Sequence, residues 1–240
     1  MAVSSGNMYD WVGLTWNPEA GACPHDCSYC STKHMVYTKA SPKYQGAPRL
    51  WPKALAKDLK SGQVVFVCAQ NDLFADLVPP FVISVILAKC REFQGNTYVF
   101  QTKNPARLGE FAFPKDQFPA MCIFGMTLES DIAYPTVSKA PAPCERAYHL
   151  GQLRVRRRQA GFQSDKFFVT VEPILLFNLD AFFDDIDYVR PDFVNIGADS
   201  KRCNLPEPSA DQIRALVELL REKRYEVRVK PELRRRFGVV

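Results

Sequence analysis

Cys23-Pro24-His25-Asp26-Cys27-Ser28-Tyr29-Cys30 carries three cysteines in a C-x3-C-x2-C spacing, behind an apolar, aromatic run from Tyr9 to Trp16. Thiolates at this spacing on one short loop can hold three irons of a [4Fe–4S] cube and leave the fourth iron without a protein ligand. Zinc is the rival reading. His34 lies four residues beyond Cys30 and His25 lies inside the loop, so Cys23, Cys27, Cys30 and His34 could close a tetrahedral Cys3His site. Structural zinc usually stabilises a small module that lacks a core of its own, whereas this loop heads a large chain. The iron–sulfur reading is therefore preferred, and His34 then reads as an ordinary helix residue after the loop.

Outward from the loop, apolar β-rich runs recur at Tyr9–Trp16, Val64–Ala69, Thr97–Thr102, Met121–Leu128, Lys166–Val171 and Asp192–Ile196, with Tyr225–Val229 as a candidate last strand. Trp51–Lys60, Pro80–Phe93, Cys144–Ala160 and Ser209–Lys223 between them have helical spacing or composition. Pro79-Pro80 and Ser209 read as helix starts, and Gly62 and Gly95 as stops. Strand and helix alternating in this way predict parallel strands joined by crossover helices. The expectation is an α/β fold, a partial (β/α)6 TIM-like barrel, in one domain over residues 1–240. A doubly wound open sheet stays open, because periodicity does not separate the two. Pro135–Pro143, rich in Pro and Ala, reads as an extended surface loop.

The polarity of such a fold matters more than its exact closure, since functional groups gather at the C-terminal ends of parallel strands. Polar residues bunch there: Asn17 and the cysteine loop, Gln70-Asn71-Asp72, Thr102-Lys103-Asn104, Glu129-Ser130-Asp131, Glu172, and Asn195 with Asp199-Ser200. Strand ends are also simply where polar loops begin. A carboxylate or amide at nearly every one weakens that bland account.

With 240 residues, nearly half of them apolar, the chain can build one sizeable core. No stretch approaches the roughly 18 apolar residues of a membrane span; Phe81–Ala88, the most apolar run, reads as a buried helix. Met1–Asn7 lacks the basic and apolar regions of a signal peptide, so a cytoplasmic location is expected. Eight cysteines in a reducing compartment are not a disulfide framework, and Cys68 and Cys122, inside apolar runs, read as small hydrophobes. The net charge of +5 is modest, but Arg154, Arg156, Arg157 and Arg158 form one block and Arg234–Arg236 another, with Lys223, Arg224, Arg228 and Lys230 ahead of the second. Such blocks contact phosphates or form solvated helix faces.

The motifs together resemble a known family. Thr15-Trp16-Asn17-Pro18 and the cysteine loop, Asn71-Asp72-Leu73-Phe74, Gln101-Thr102-Lys103-Asn104-Pro105 and Thr127-Leu128-Glu129-Ser130-Asp131 are similar to a phage- and prokaryote-associated radical S-adenosylmethionine family with no assigned substrate. Val171-Glu172-Pro173-Ile174, Ile196-Gly197-Ala198-Asp199-Ser200 and Leu205-Pro206-Glu207-Pro208 continue the resemblance in order, over nearly the whole chain. The family resembles spore photoproduct lyase in its barrel core and has no extra cysteine-rich domain.

The resemblance implies two cofactors, a [4Fe–4S] cluster and S-adenosyl-L-methionine, the latter chelating the open iron through its amino and carboxylate groups. Reductive cleavage would give methionine and a 5′-deoxyadenosyl radical that removes hydrogen from an unactivated carbon. Tyr29 would pack on the adenine or cover the cluster from solvent. Asn71 and Asp72 would hold the methionine ammonium, although Gln70-Asn71-Asp72 departs from the family's usual glycine-rich element with a glutamate. Glu129 would bind ribose hydroxyls or the ammonium, with Thr127 beside it. Glu172 would bind cofactor or orient substrate, and Asn195 and Gly197 would lie against the adenine. Lys103 at the rim would bind a carboxylate or phosphate, unless it only projects into water, and Lys230 is a weaker analogue. Cys203 would return a hydrogen atom to a substrate radical, unless it is an incidental loop thiol. The substrate implied is a nucleic acid or nucleotide, for modification or repair, with a peptide or small metabolite still open. The electron donor would be a flavodoxin or ferredoxin. Against this stand a zinc-stabilised nucleic-acid-binding protein without catalysis, and a barrel whose cluster is only structural or redox-sensing.

Overall fold

The structure is a computed structural model describing residues 9–34, 42–113 and 115–239; the reading placed on Met1–Asn7 lies outside the described residues. The strands are β1 (Leu14–Trp16), β2 (Glu19–Ala20), β3 (Arg49–Leu50), β4 (Val64–Val67), β5 (Thr97–Thr102), β6 (Cys122–Thr127), β7 (Lys166–Val171), β8 (Phe193–Ile196) and β9 (Glu226–Val229). The helices are α1 (Pro52–Leu55), α2 (Pro80–Glu92), α3 (Pro105–Ala112), α4 (Pro143–Gln159), α5 (Leu179–Val189), α6 (Ala210–Glu222) and α7 (Pro231–Phe237). β2 and β3 form a small antiparallel pair. The others form one seven-stranded sheet in the order β1-β4-β5-β6-β7-β8-β9. β1/β4, β4/β5, β7/β8 and β8/β9 all pair in parallel.

That order decides between the two architectures left open by the sequence. A doubly wound sheet reverses its strand order at a switch point, whereas here the order follows the chain from one edge to the other. The fold is α/β and singly wound, as in a partial (β/α) barrel. It carries seven strands rather than six because Glu226–Val229 adds to β8 in register, Phe193 opposite Glu226 and Ile196 opposite Val229.

Local chemistry explains most boundaries. β7 is buried from Phe167 to Val171, as expected of a parallel strand covered on both faces. Proline occupies the first turn of α2, α3, α4 and α7, where its missing N–H costs no intrahelical bond. A capping box formed by Ser209 and Gln212 starts α6. The helix expected over Trp51–Lys60 stops at Leu55: Lys57 N–H turns back to Ala54 O in a tighter i→i−3 bond, and further on Lys60 takes positive φ. Phe81–Ala88 is helical but not wholly buried: Phe81 and Val85 are exposed, while Val82, Ile83, Ile86 and Leu87 face inward.

The chain divides into two compact units, residues 9–26 with 30–124 and residues 27–29 with 125–239 among those described. The first has a core of edge-to-face aromatics: Phe118 meets Phe100 at 5.1 Å and Phe124 at 5.0 Å. In the second, Phe168 stacks on Phe193 at 5.1 Å and fills the space over Gly125, where a Cβ would fall 2.2 Å from its ring. This unit also buries an ion pair. Arg157 Nε donates to Asp165 Oδ2 at 2.6 Å, with neither side chain exposed, and the guanidinium lies 3.8 Å from the centroid of the Phe162 ring. Asp165→Ala would strip a buried guanidinium of its counter-charge, at a cost of about 3–5 kcal/mol. Calorimetry should show Tm falling by roughly 10 °C; a shift near zero would mean that Arg157 is solvated rather than buried.

Candidate functional site

In the first unit the loops after β1, β4 and β5 meet on one buried carboxylate. Asp72 Oδ1 accepts from Thr102 Oγ1 at 2.7 Å and from Phe74 N–H at 3.1 Å. Its Oδ2 accepts from Lys103 N–H at 2.6 Å and lies 2.9 Å from His25 Nε2. Burial alone would raise this carboxyl's pKa. The charge and hydrogen bond of His25, with the bonds from Lys103 and Thr102, outweigh it and leave the group below its ordinary value. Asp72 therefore does not present a free carboxylate. It fastens His25 to the ends of the strands. Thr32 Oγ1 adds a bond to Gln70 O at 2.8 Å.

Beside it lies a group that sequence reasoning passed over. Glu19, on β2, is 1% exposed, and neither of its oxygens meets a donor at ordinary hydrogen-bond geometry among the described residues. Burial, and next the negative charge of Asp72, push its pKa up to about 8, so it carries a proton at neutral pH. Asn71 neighbours it; its Nδ2 donates to Gly21 O at 3.0 Å while its Oδ1 is buried without a partner among the described residues. Cys68, which takes positive φ right after β4, is held well above the ordinary thiol pKa by burial and then by Glu19.

In the second unit the centre is Glu129. The Tyr29 hydroxyl donates to its Oε1. Arg146 Nη1 donates at 2.7 Å both to its Oε2 and to Thr127 O. Burial, then the charge of Glu129, hold the Tyr29 phenol well above its usual range, so it stays a donor. Residues 27–29 are clipped to the Pro- and Ala-rich segment: Ser28 N–H donates to Val137 O at 2.8 Å, and Cys27 Sγ lies 3.2 Å from Ser138 Oγ. A cavity of about 320 Å³ opens there, lined by Glu129, Arg146, Tyr134, Val137 and Ser138 among others. Arg146 escaped the sequence reading. Its signal was its place on the inward stripe of α4, with Leu150, Leu153 and Arg157, where an arginine is buried only with a partner.

The remaining candidates fall into two groups. Glu172 is gripped by Lys230 Nζ at 2.5 Å and lies flat on Gly197, where a Cβ would come within 2.7 Å of its carboxyl carbon. Cys203 N–H donates to the Asp199 carboxylate, and burial, then Asp199, raise the thiol pKa. Asn195 is set apart, since it is buried in the sheet and donates to Thr170 Oγ1 at 3.2 Å. Lys103 is half-buried, with its backbone N–H on Asp72.

The donor chemistry of Cys23, Cys27 and Cys30 fits an iron–sulfur cluster with one open iron: three thiols, none in a disulfide, on a loop anchored at His25 and Ser28. They form a donor set rather than a finished cage. Among the described residues no three His, Cys, Asp or Glu side chains stand in metal-ligating geometry. Of the zinc candidates, His25 faces Asp72 and His34 is exposed on the helical turn after the loop.

Solved structures of spore photoproduct lyase share this fold. A doubly substituted form with bound AdoMet and dinucleoside spore photoproduct matches with TM-score 0.55 and 11% identity, covering 90% of this chain and 75% of its own. Two singly substituted forms match with TM-scores of 0.57 and 0.56 at 9% and 10% identity, covering 90% and 88% of this chain and 75% and 74% of theirs. At such identities the likeness establishes the fold, and the similarity of the core to spore photoproduct lyase expected from the sequence is found. No family model and no curated protein matches the chain. Among the described residues no helix is long and apolar enough to cross a membrane.

Glu19 yields a pH test. The folded state keeps a proton up to about pH 8, whereas an unfolded glutamate releases it near the ordinary value of 4.5. Its contribution is therefore whole below that ordinary value and is lost as pH rises toward 8. Urea unfolding at several pH values should show the wild type losing of order a few kcal/mol across this window relative to Glu19→Gln, which stays neutral throughout. Parallel curves for the two proteins would mean that Glu19 is ionised in the fold.

Proposed function

We propose that the chain is a radical S-adenosylmethionine enzyme, a single catalytic domain over residues 1–240. The observation that carries this reading is a three-thiol loop set behind the first strand of a fold shared with a lyase solved with bound AdoMet. Cys23, Cys27 and Cys30 would hold a [4Fe–4S] cluster and leave one iron for the cofactor. When bound, the two cofactors would supply one-electron chemistry able to take hydrogen from an unactivated carbon of the substrate.

The protein's own side chains bind and orient. Glu129 and Thr127 would hold the ribose, with the Glu129 carboxylate aimed by Arg146 and by the protonated Tyr29. Tyr29 would also cover the adenine edge of the site. Asn71, whose Oδ1 meets no donor among the described residues, would accept from the methionine ammonium; Asp72, its carboxylate already satisfied, would position His25 and the loop instead. Glu172, oriented by Lys230 over Gly197, would contact cofactor or substrate, with Asn195 behind it. Lys103 would take a phosphate or carboxylate of the substrate. Cys203 would return a hydrogen atom; its raised pKa keeps the thiol in the form that has one to give.

A nucleic acid or nucleotide is the proposed substrate, supported by the basic blocks of the sequence and by the dinucleoside bound to the similar lyase. A flavodoxin or ferredoxin would supply the electron, in a cytoplasmic setting. The zinc-protein alternative is not favoured, because the fold is that of spore photoproduct lyase and the second histidine candidate, His25, is committed to Asp72.

After anaerobic iron and sulfide reconstitution, the protein should form 5′-deoxyadenosine when given dithionite and S-adenosylmethionine, measured by chromatography. Cys27→Ala should reduce this to the level seen without protein. Bound zinc, or a cluster that never cleaves the cofactor, would overturn the assignment.

A further inference from the structure

The outer faces of α4 and α5 carry a feature that this chemistry leaves unused. A groove of about 630 Å³ runs between them, lined by Gly151, Arg154, Val155, Arg158, Tyr188 and Arg190 among others. Gly151 makes the groove possible. A Cβ there would fall 2.8 Å from the Tyr188 ring, so the ring lies directly on the α4 backbone. Tyr148 stacks on Tyr188, their centroids 5.9 Å apart and their planes at 28°, and Gln152 Nε2 donates to Tyr188 Oη at 2.9 Å. The two rings are thus held in place, yet they stay 51% and 49% exposed, with Val155 50% exposed beside them. Fixed aromatic rings left in water are the kind of exposed apolar patch that marks a binding surface.

Charge frames the rings. Three arginines, Arg154, Arg158 and Arg190, line the groove against a single carboxylate, Asp187, and that carboxylate already accepts from Tyr225 Oη at 2.5 Å. Arg158 is oriented by donating to the carbonyls of Phe162, Gln163 and Asp165, which leave its charge uncompensated. Arg154 Nε is buried without an acceptor among the described residues. Arg190 is exposed at the left-handed end of α5. The four-arginine block read from the sequence thereby divides: Arg157 turns inward to Asp165, Arg154 and Arg158 line the groove, and Arg156 is exposed outside its lining.

We propose that this groove binds single-stranded nucleic acid, with phosphates on Arg154, Arg158 and Arg190 and unpaired bases against Tyr148 and Tyr188. Cations that track a backbone beside aromatic faces for bases are the pattern of single-strand binding. A duplex would offer phosphates but no base faces, and an acidic protein would leave the rings in water. None of the groove's lining residues belongs to the cysteine loop or to the proposed cofactor contacts, so the proposal does not depend on how that loop is read.

The test is fluorescence anisotropy of the full chain with a labelled oligothymidylate across a salt series. Arg154→Ala with Arg190→Ala should weaken binding by about tenfold or more. It should also flatten the slope of log affinity against log salt by about 1.4, because each phosphate neutralised on a single strand contributes about 0.7 to that slope. Tyr188→Ala should cost about tenfold through weaker stacking while leaving the salt slope unchanged. Unchanged affinity in both variants, or tighter binding to a duplex of the same length, would overturn the proposal. Cofactor cleavage measured in the same variants should equal that of the wild type, so failure of one reading leaves the other standing.

Discussion

A carboxylate buried at the end of a parallel strand must find donors or keep its proton, and the loops of this protein are arranged around that constraint. Asp72 gathers four donors from three loops and stays ionised. Glu129 is satisfied by a tyrosine and an arginine. Glu19, shut off from solvent and close to the negative Asp72, keeps its proton instead, because burial outweighs what Asn71 and Cys68 offer it. The first two cases cost little because low local polarity strengthens each hydrogen bond that is made. The third stores the cost as a dependence on pH.

Close approach is the second organising feature. Gly125 admits the Phe168 ring, Gly197 admits the Glu172 carboxylate and Gly151 admits the Tyr188 ring, each at distances that no Cβ tolerates. The last two orient side chains that the proposed functions use. A glycine of this kind acts by what it lets its neighbour do, so its role is invisible until the neighbour is known. The same holds for Arg146 and Arg157, two arginines on the inward stripe of one helix, each of which meets its carboxylate only after folding.

Much of the fold was legible in the chain because parallel strands covered on both faces are written as continuous apolar runs. Thr97–Thr102 and Lys166–Val171 have the same limits in sequence and structure. The α3, α5 and α7 helices were not read: α3 and α7 are short and begin within three residues of a strand end, where the polar residues mask their starts, and α5 follows a seven-residue connection after β7 that carries no capping box of its own. The candidate site was legible in kind: the polar residues at successive strand ends, Ser200 excepted, do occupy buried or half-buried positions there. Their individual duties were less so. Asp72 reads in sequence as a free ligand group and is in fact saturated by its own loops. Glu19, in a two-residue strand ahead of the cysteines, gave no signal at all.

The sequence by itself determined the thiol spacing of Cys23, Cys27 and Cys30, the alternation of strands with helices, and the ends of the strands at which polar groups collect. Those are local properties, set by residue order and by the periodicity of burial. Tertiary structure alone decided that strand order runs singly from β1 to β9, that His25 faces Asp72, that Arg146 aims Glu129, and that two tyrosines stand fixed between arginines on α4 and α5. Each joins residues distant in the chain. Partners of that kind follow from the geometry of crossovers and from the need to satisfy buried charge, which no local pattern encodes.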